Sequence, residues 1–233
     1  MVTYSMKQLE FNVPDSLSEI TLGQYMEIQT ILDGNDDEYV IGLKMVSILC
    51  GITEGEVRGI SKTDYDDISQ ILIKTLKSTA KWKQRYKLGD VEYGFIPSLD
   101  NLSIGEYIDL DTFVGDQDNL HKLMSILYRP IIHTSLGRYE VEKYTGNQDM
   151  DIMKYMPMDA VQGSLVFFYR LGNELLKAIP DYLIRQGVEM DIVSKQTLER
   201  SGDGIRAFTD SQTRIFWSMI ELLNRTSMQP LHS

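Results

Sequence analysis

The chain holds one cysteine, Cys50, so it has no internal disulfide, and its three histidines, His121, His133 and His232, fall in separate segments. A lone thiol in "VSILCG" reads as a small buried hydrophobe at a helix end rather than a nucleophile, and it fits a reducing compartment. No HExxH, HxxxH or CxxC spacing occurs, so zinc is not expected. Long apolar runs are missing as well. The longest, "GSLVFFY" (163–169), stops at Arg170, far short of the about 20 residues that span a bilayer. The opening "MVTYSMKQLEFNV" lacks the basic and apolar regions of a secretory signal. Neither a signal nor a membrane partner is expected.

Positive charge is scarce: 23 Lys and Arg stand against 34 Asp and Glu, a net charge of −11. Phosphate attraction supplies most non-specific nucleic-acid affinity, so nucleic acid is not expected as the main ligand. The best basic stretch, "KSTAKWKQRYK" (77–87), interleaves Trp82 and Tyr86. It reads as a helix end running into a strand with a solvated Lys/Arg face, against the alternative of stacking on bases. What is present is ordinary for a packed protein: 233 residues, 42% hydrophobic and 24% charged. That is enough for one large domain or two small ones without a metal or disulfide.

The pattern predicts an α+β, mainly helical fold. "KQLEFNVP" (7–14) alternates weakly as a short strand and ends in proline. Thr21 and Gln24 have the capping-box spacing and open a helix with Leu22, Tyr25, Met26, Ile28 and Leu32 on one stripe. After the loop "DGNDDE" (33–38) a buried helix is expected over about 37–50, closed by Gly51. Thr53 and Glu56 cap a short helix over 54–59, and a longer one follows over 64–80. "QRYKLGDVEYGFIP" (84–97) reads as a β-hairpin turning at Gly89-Asp90. Ser103 and Glu106 repeat the capping spacing, and "LHKLMSILYRP" (120–130) reads as a helix stopped by Pro130. "IIHTSLGRYEVEKYTG" (131–146) is a second hairpin around Leu136-Gly137, with a short helix over 149–156. The rest reads as helical: 158–179, a short piece over 180–188, a flexible linker at Ser201, Gly202, Asp203 and Gly204, a final amphipathic helix over 208–224, and a frayed tail over 225–233.

"TLGQYMEIQTI" (21–31) and "SIGEYIDLDTF" (103–113) match in kind from Thr21/Ser103 to Ile28/Leu110 and again at Thr30/Thr112, differing at Gln29 and Asp111, and "MVSILC" (45–50) returns as "LMSILY" (123–128). Each is preceded by a strand and a proline, Pro14 or Pro97. The expected organisation is therefore an internally duplicated unit of strand, Pro turn, capped helix, loop and helix, with two β-hairpins and a helical C-terminal third. The parts are 1–82, 83–146 and 147–233, packed as one domain or two closely associated ones, with a hinge at 201–204. Glycine inside a helix's first turn costs about 0.5–1 kcal/mol relative to alanine, so Gly23 and Gly105 are expected to admit a close backbone, such as the preceding strand. Neither belongs to a phosphate loop, which needs two further glycines.

The acidic clusters do not assemble a site on paper. Asp33, Asn35 and Asp37 alternate as in a calcium loop, but Glu38 stands at the sixth position and Lys44 at the twelfth. Asp109 and Asp111 flank Leu110 and point to different sides of a helix. Asp64, Asp66 and Asp67 suit the positive end of a helix dipole. No GxSxG, Walker or nicotinamide motif is present. No enzyme, cofactor or metal is expected, and no catalytic, cofactor-binding or metal residue is assigned.

The segments "LSEITLGQYMEIQTILD…VSILCGITEGEV", "LDNLSIGEYIDLDTF…LHKLMSILYRPI" and "MPMDAVQGSLVFFYRLGNELL" together resemble a group of tailed-bacteriophage proteins without assigned activities. These are encoded among the virion and assembly genes of crAss-like and related phages. The resemblance covers about residues 15–177, carried best by "LYRPI" and "MPMD…GSLVFFYRLGNELL". It implies a non-enzymatic morphogenesis protein: a virion component, or a head or tail assembly protein. Its partners would be other phage structural proteins, with self-association as a further mode. Its place would be the bacterial host cytoplasm during assembly, or the virion. The alternatives are a tail assembly chaperone absent from the mature particle, an adaptor binding a host factor, and an acid-and-metal hydrolase. Expected binding surfaces are the hairpin edges (84–97 and 131–144) and the C-terminal helix. That helix carries Ile205, Phe208, Ile215, Phe216, Trp217, Met219, Ile220, Leu222 and Leu223, as core or as a segment that docks in a neighbour's groove.

Overall fold

The computed structural model describes residues 2–6, 9–34, 37–97, 102–113, 116–146, 149–167, 218–223 and 225–226. They form a mainly helical α+β fold whose chain divides into two compact units: Met1–Ala80 with Lys154–Asp159 and Thr213–Ser233, and Lys81–Met153 with Ala160–Gln212.

The first unit begins with a hairpin that the sequence reading missed in part. Strand β1 (Val2–Met6) pairs antiparallel with β2 (Leu9–Val13), Val2 opposite Val13. A 3₁₀ turn at Leu17–Glu19 leads to α1 (Leu22–Leu32), which buries Leu22, Tyr25, Ile28 and Gln29 at helical spacing. Helix α2 (Glu38–Cys50) packs on α1, with Asp37 as N-cap and Gly51, at φ 67°, as the left-handed C-cap. Helix α3 (Glu54–Arg58) carries the expected Thr53/Glu56 capping box.

Helix α4 (Lys62–Leu76) starts earlier than expected, because Ser61 accepts from the Asp64 N–H and so sets the N-cap. Only Asp64 of the three acids then lies in the first turn; Asp66 instead pairs with Lys62, one turn back. Thr75 Oγ1 donates to the Pro14 carbonyl at 3.1 Å and ties α4 to the end of β2. The helical residues 218–223 bury Met219, Ile220, Leu222 and Leu223, so this part of the C-terminal helix is core. Thr226 accepts a hydrogen bond from Tyr65 Oη at 3.1 Å. The remaining readings on the last third (Phe168 to the end of 158–179, 180–188, the 201–204 hinge, and Ile205, Phe208, Ile215, Phe216, Trp217) lie outside the described residues, as does the tail beyond Thr226.

The second unit is built on a four-stranded antiparallel sheet in the order β3-β4-β5-β6. Strands β3 (Arg85–Leu88) and β4 (Val91–Phe95) turn at Gly89-Asp90, with Gly89 at φ 58°. Strands β5 (Tyr128–Ser135) and β6 (Arg138–Val141) turn at Leu136-Gly137, both at positive φ. The two hairpins are not separate: Tyr93 pairs with Pro130 and Phe95 with Tyr128, joining β4 to β5. Helix α5 (Ile104–Phe113) leads through a 3₁₀ turn at Gln117–Asn119 to α6 (Leu120–Leu127), which packs on α5. Helix α6 ends three residues before the expected stop. Tyr128 already has extended backbone, and Pro130 lies inside β5, where its carbonyl still accepts from the Glu142 N–H at 2.9 Å. The segment expected as a helix over 149–156 is a 3₁₀ stretch at Met150–Tyr155.

This unit's interior is aromatic. Tyr86 stacks on Tyr93 at 5.5 Å between ring centroids, and Tyr86 and Phe95 both meet Tyr128 edge-on at 5.2 Å. Trp82 stacks on Phe167 at 4.8 Å and meets Phe95 edge-on at 5.6 Å. Such pairs contribute about 0.5–1.5 kcal/mol each beyond the area they bury. Tyr139 reaches over Gly94, where an added Cβ would lie 2.4 Å from the ring, and its hydroxyl donates to the Phe95 carbonyl at 2.5 Å. The basic stretch 77–87 thus spends Tyr86 on packing.

Candidate functional site

The residues that share a sequence pattern are the starts of α1 and α5, and each closes a capping box. Thr21 Oγ1 accepts from the Gln24 N–H at 3.2 Å while Gln24 Oε1 accepts from the Thr21 N–H at 2.9 Å. Ser103 Oγ accepts from the Glu106 N–H at 3.2 Å while Glu106 Oε2 accepts from the Ser103 N–H at 2.7 Å. The third-position side chain then does a second thing in each hairpin: it braces the helix start against the far end of the partner helix. Gln24 Nε2 donates to the Ile48 carbonyl at 2.7 Å, near the end of α2. Glu106 has no donor, and it takes instead the Arg129 guanidinium, with 2.8 Å between Oε1 and Nη2, two residues beyond α6. Burial alone would raise the Glu106 carboxyl; its bonds from Ser103 and the charge of Arg129 outweigh this and hold it below its ordinary value.

The two starts differ in what covers them. At α1, the segment Lys154–Met158, which leaves the 3₁₀ stretch through Met156 and Pro157, lies alongside as a clip: the Leu22 N–H donates to the Met156 carbonyl and the Met158 N–H to the Ile20 carbonyl, both at 2.8 Å. Thr21 pairs with Pro157 in an antiparallel bridge at a position where proline's missing N–H costs nothing. A Cβ on Gly23 would stand 3.1 Å from the Lys154 carbonyl oxygen. The glycine does admit a close backbone, but that of a distant segment rather than of the preceding strand. Among the described residues Gly105 admits nothing comparable; the nearest atom to a Cβ there is Ser103 Oγ at 4.0 Å. Leu22 is fully buried, whereas its counterpart Ile104 is 80% exposed and Ile108 is 55% exposed.

A cavity of about 340 Å³ in the second unit is lined by Tyr93, Tyr128, Arg129, Lys143, Asp149 and Met153, among others. Its charges are of both signs, and the one guanidinium is engaged by Glu106. Tyr144 Oη donates to Asp109 Oδ2 at 2.5 Å, which places Asp109 in a structural pair. His121 is buried with Nε2 at 3.3 Å from Asp151 Oδ1, and His133 is exposed on β5. Cys50 is buried, and burial pushes its thiol up to about 12, so it holds a negligible thiolate fraction at neutral pH. Among the described residues, no group of three or more His, Cys, Asp or Glu could hold a metal ion, and no helix is long and apolar enough to cross a membrane.

The sheet also changes the expected binding edges. With β4 and β5 paired to each other, only β3 and β6 of the two hairpins are outer strands. Sequence reasoning did not find the exposed face of α5, because the clip that covers the start of α1 comes from residues 154–158, outside both repeated segments. Compared with protein-family models, curated proteins and solved structures, the chain gives no match.

Proposed function

We propose that the chain is a non-enzymatic morphogenesis protein of a tailed bacteriophage, acting through protein–protein contacts in the host cytoplasm during assembly. The observation that carries this reading is the apolar face of α5, where Ile104 and Ile108 stand exposed one helical turn apart in the segment that bears the phage resemblance. Scattered single exposed hydrophobes need no explanation, but two on one stripe beside an uncovered glycine favour a surface meant to be covered. The polar side chains of the repeated motif support the same reading, since they are engaged in caps and braces. We read the two capped helical hairpins as a duplicated scaffold unit.

Mass spectrometry of purified particles and of infected-cell lysate tests the proposal. The chain in the particle makes it a virion component. The chain bound to virion proteins in the lysate, and missing from the particle, makes it an assembly chaperone. Recovery with a host protein and no phage structural protein supports the adaptor reading and overturns this one.

A further inference from the structure

We infer that the exposed face at the start of α5 docks a basic, proline-centred segment of another protein, of the type that already covers the start of α1. The inference rests on the assembly reading above and names the chemistry of the partner. The chain itself supplies the template. At α1, the clip Lys154–Met158 ("KYMPM") uses two backbone hydrogen bonds, to Ile20 and Leu22, and its Lys154 backbone lies against Gly23. At α5, the elements that such a clip engages are present and, among the described residues, uncovered. The residues equivalent to Ile20 and Leu22 are Leu102 and Ile104, and among the described residues neither has a backbone partner of this kind. Gly105 faces open space, and Ile104 and Ile108 offer the apolar seat.

Charge says which kind of segment fits. From Ser103 to Asn119 the chain carries Glu106, Asp109, Asp111, Asp116 and Asp118 and no Lys or Arg. Arg129 balances only Glu106. A partner strand with a lysine or arginine before the proline, as Lys154 precedes Pro157, is therefore favoured over an acidic one. Backbone pairing supplies the direction and the flanking apolar side chains supply the selectivity, as in strand addition generally.

The test uses the full chain and a blocked peptide with the sequence of residues 153–158, MKYMPM, whose one charge is that of Lys154, labelled for fluorescence anisotropy. Saturable binding is expected that weakens at least about tenfold in Ile104→Asp, weakens in Gly105→Val, and falls as salt is raised. Both variants are expected to keep the circular dichroism of the parent, because Ile104 is 80% exposed and a Cβ at Gly105 meets no close neighbour. Equal binding of a scrambled peptide, or no loss in either variant, overturns the inference. So does a dimer in sedimentation that Ile104→Asp abolishes, since the occupant is then a second copy. Particle fractionation reads the assembly role independently, so failure of one does not imply failure of the other.

Discussion

Glu106 Oε1 lies 2.8 Å from Arg129 Nη2, with the two side chains 8% and 12% exposed. The carboxylate closes a helix cap on one side and accepts the guanidinium on the other, so a single residue fixes the start of α5 relative to the first residues of β5. Removing one member of such a pair leaves the other partly desolvated and unpartnered.

Glu106→Gln is expected to lower stability by about 1–3 kcal/mol at neutral pH. The folded-state pKa of Glu106 lies below its unfolded value of about 4.5, so its contribution is present above that value. It is lost as pH falls through the lower, folded value. Urea unfolding of parent and variant should therefore differ by a constant amount above pH 5 and converge toward acid. A difference that persists unchanged at acid pH would place the effect in packing.

The reciprocal change at the first hairpin separates the two braces. Gln24→Glu brings a carboxylate oxygen against the Ile48 carbonyl that now accepts from the amide at 2.7 Å. A loss of about 1–3 kcal/mol is expected at neutral pH, relieved at acid pH where the carboxyl again donates. Chemical denaturation across pH 3–7 measures it; the difference again shrinks toward acid, here because the variant gains stability, whereas for Glu106→Gln it shrinks because the parent loses stability.

Gly23→Ala and Gly105→Ala should part company although the motif is shared. A Cβ on Gly23 meets the Lys154 carbonyl oxygen at 3.1 Å, so the clip must shift and stability should fall. At Gly105 the space is open, and alanine should be neutral or stabilising by up to about 0.5–1 kcal/mol. Paired thermal melts check this.

Leu136 is fully exposed and held at φ 48° in the β5–β6 turn, next to Gly137 at φ 79°. A two-residue turn with both positions left-handed suits Asn-Gly, and a leucine there is strained. Leu136→Asn should raise stability by about 0.5–1 kcal/mol, read from the denaturation midpoint at unchanged slope.

Cys50 should not react with a disulfide reagent at pH 8 in the folded chain and should react promptly in denaturant. Its thiol is buried and its pKa is pushed up to about 12. Stoichiometric labelling under native conditions would contradict this placement.

What the sequence by itself determined is what short-range chemistry controls. A hydroxyl three residues before Gln or Glu caps a helix because both bonds close within one turn, and all three capping boxes stand where the spacing put them. Gly51, Gly89 and Gly137 mark their cap and turns because they take positive φ, which other residues rarely adopt. Tertiary structure decided the rest, through contacts whose partners lie far apart in the chain. No local signal announces that β4 and β5 join the two hairpins into one sheet. The clip that fills the space at Gly23 comes from residue 154, and the cation that completes Glu106 comes from residue 129. Two five-residue stretches alike in kind, "TLGQY" and "SIGEY", therefore end as a covered helix start in one place and as an exposed apolar face in the other, because burial depends on which distant segment arrives.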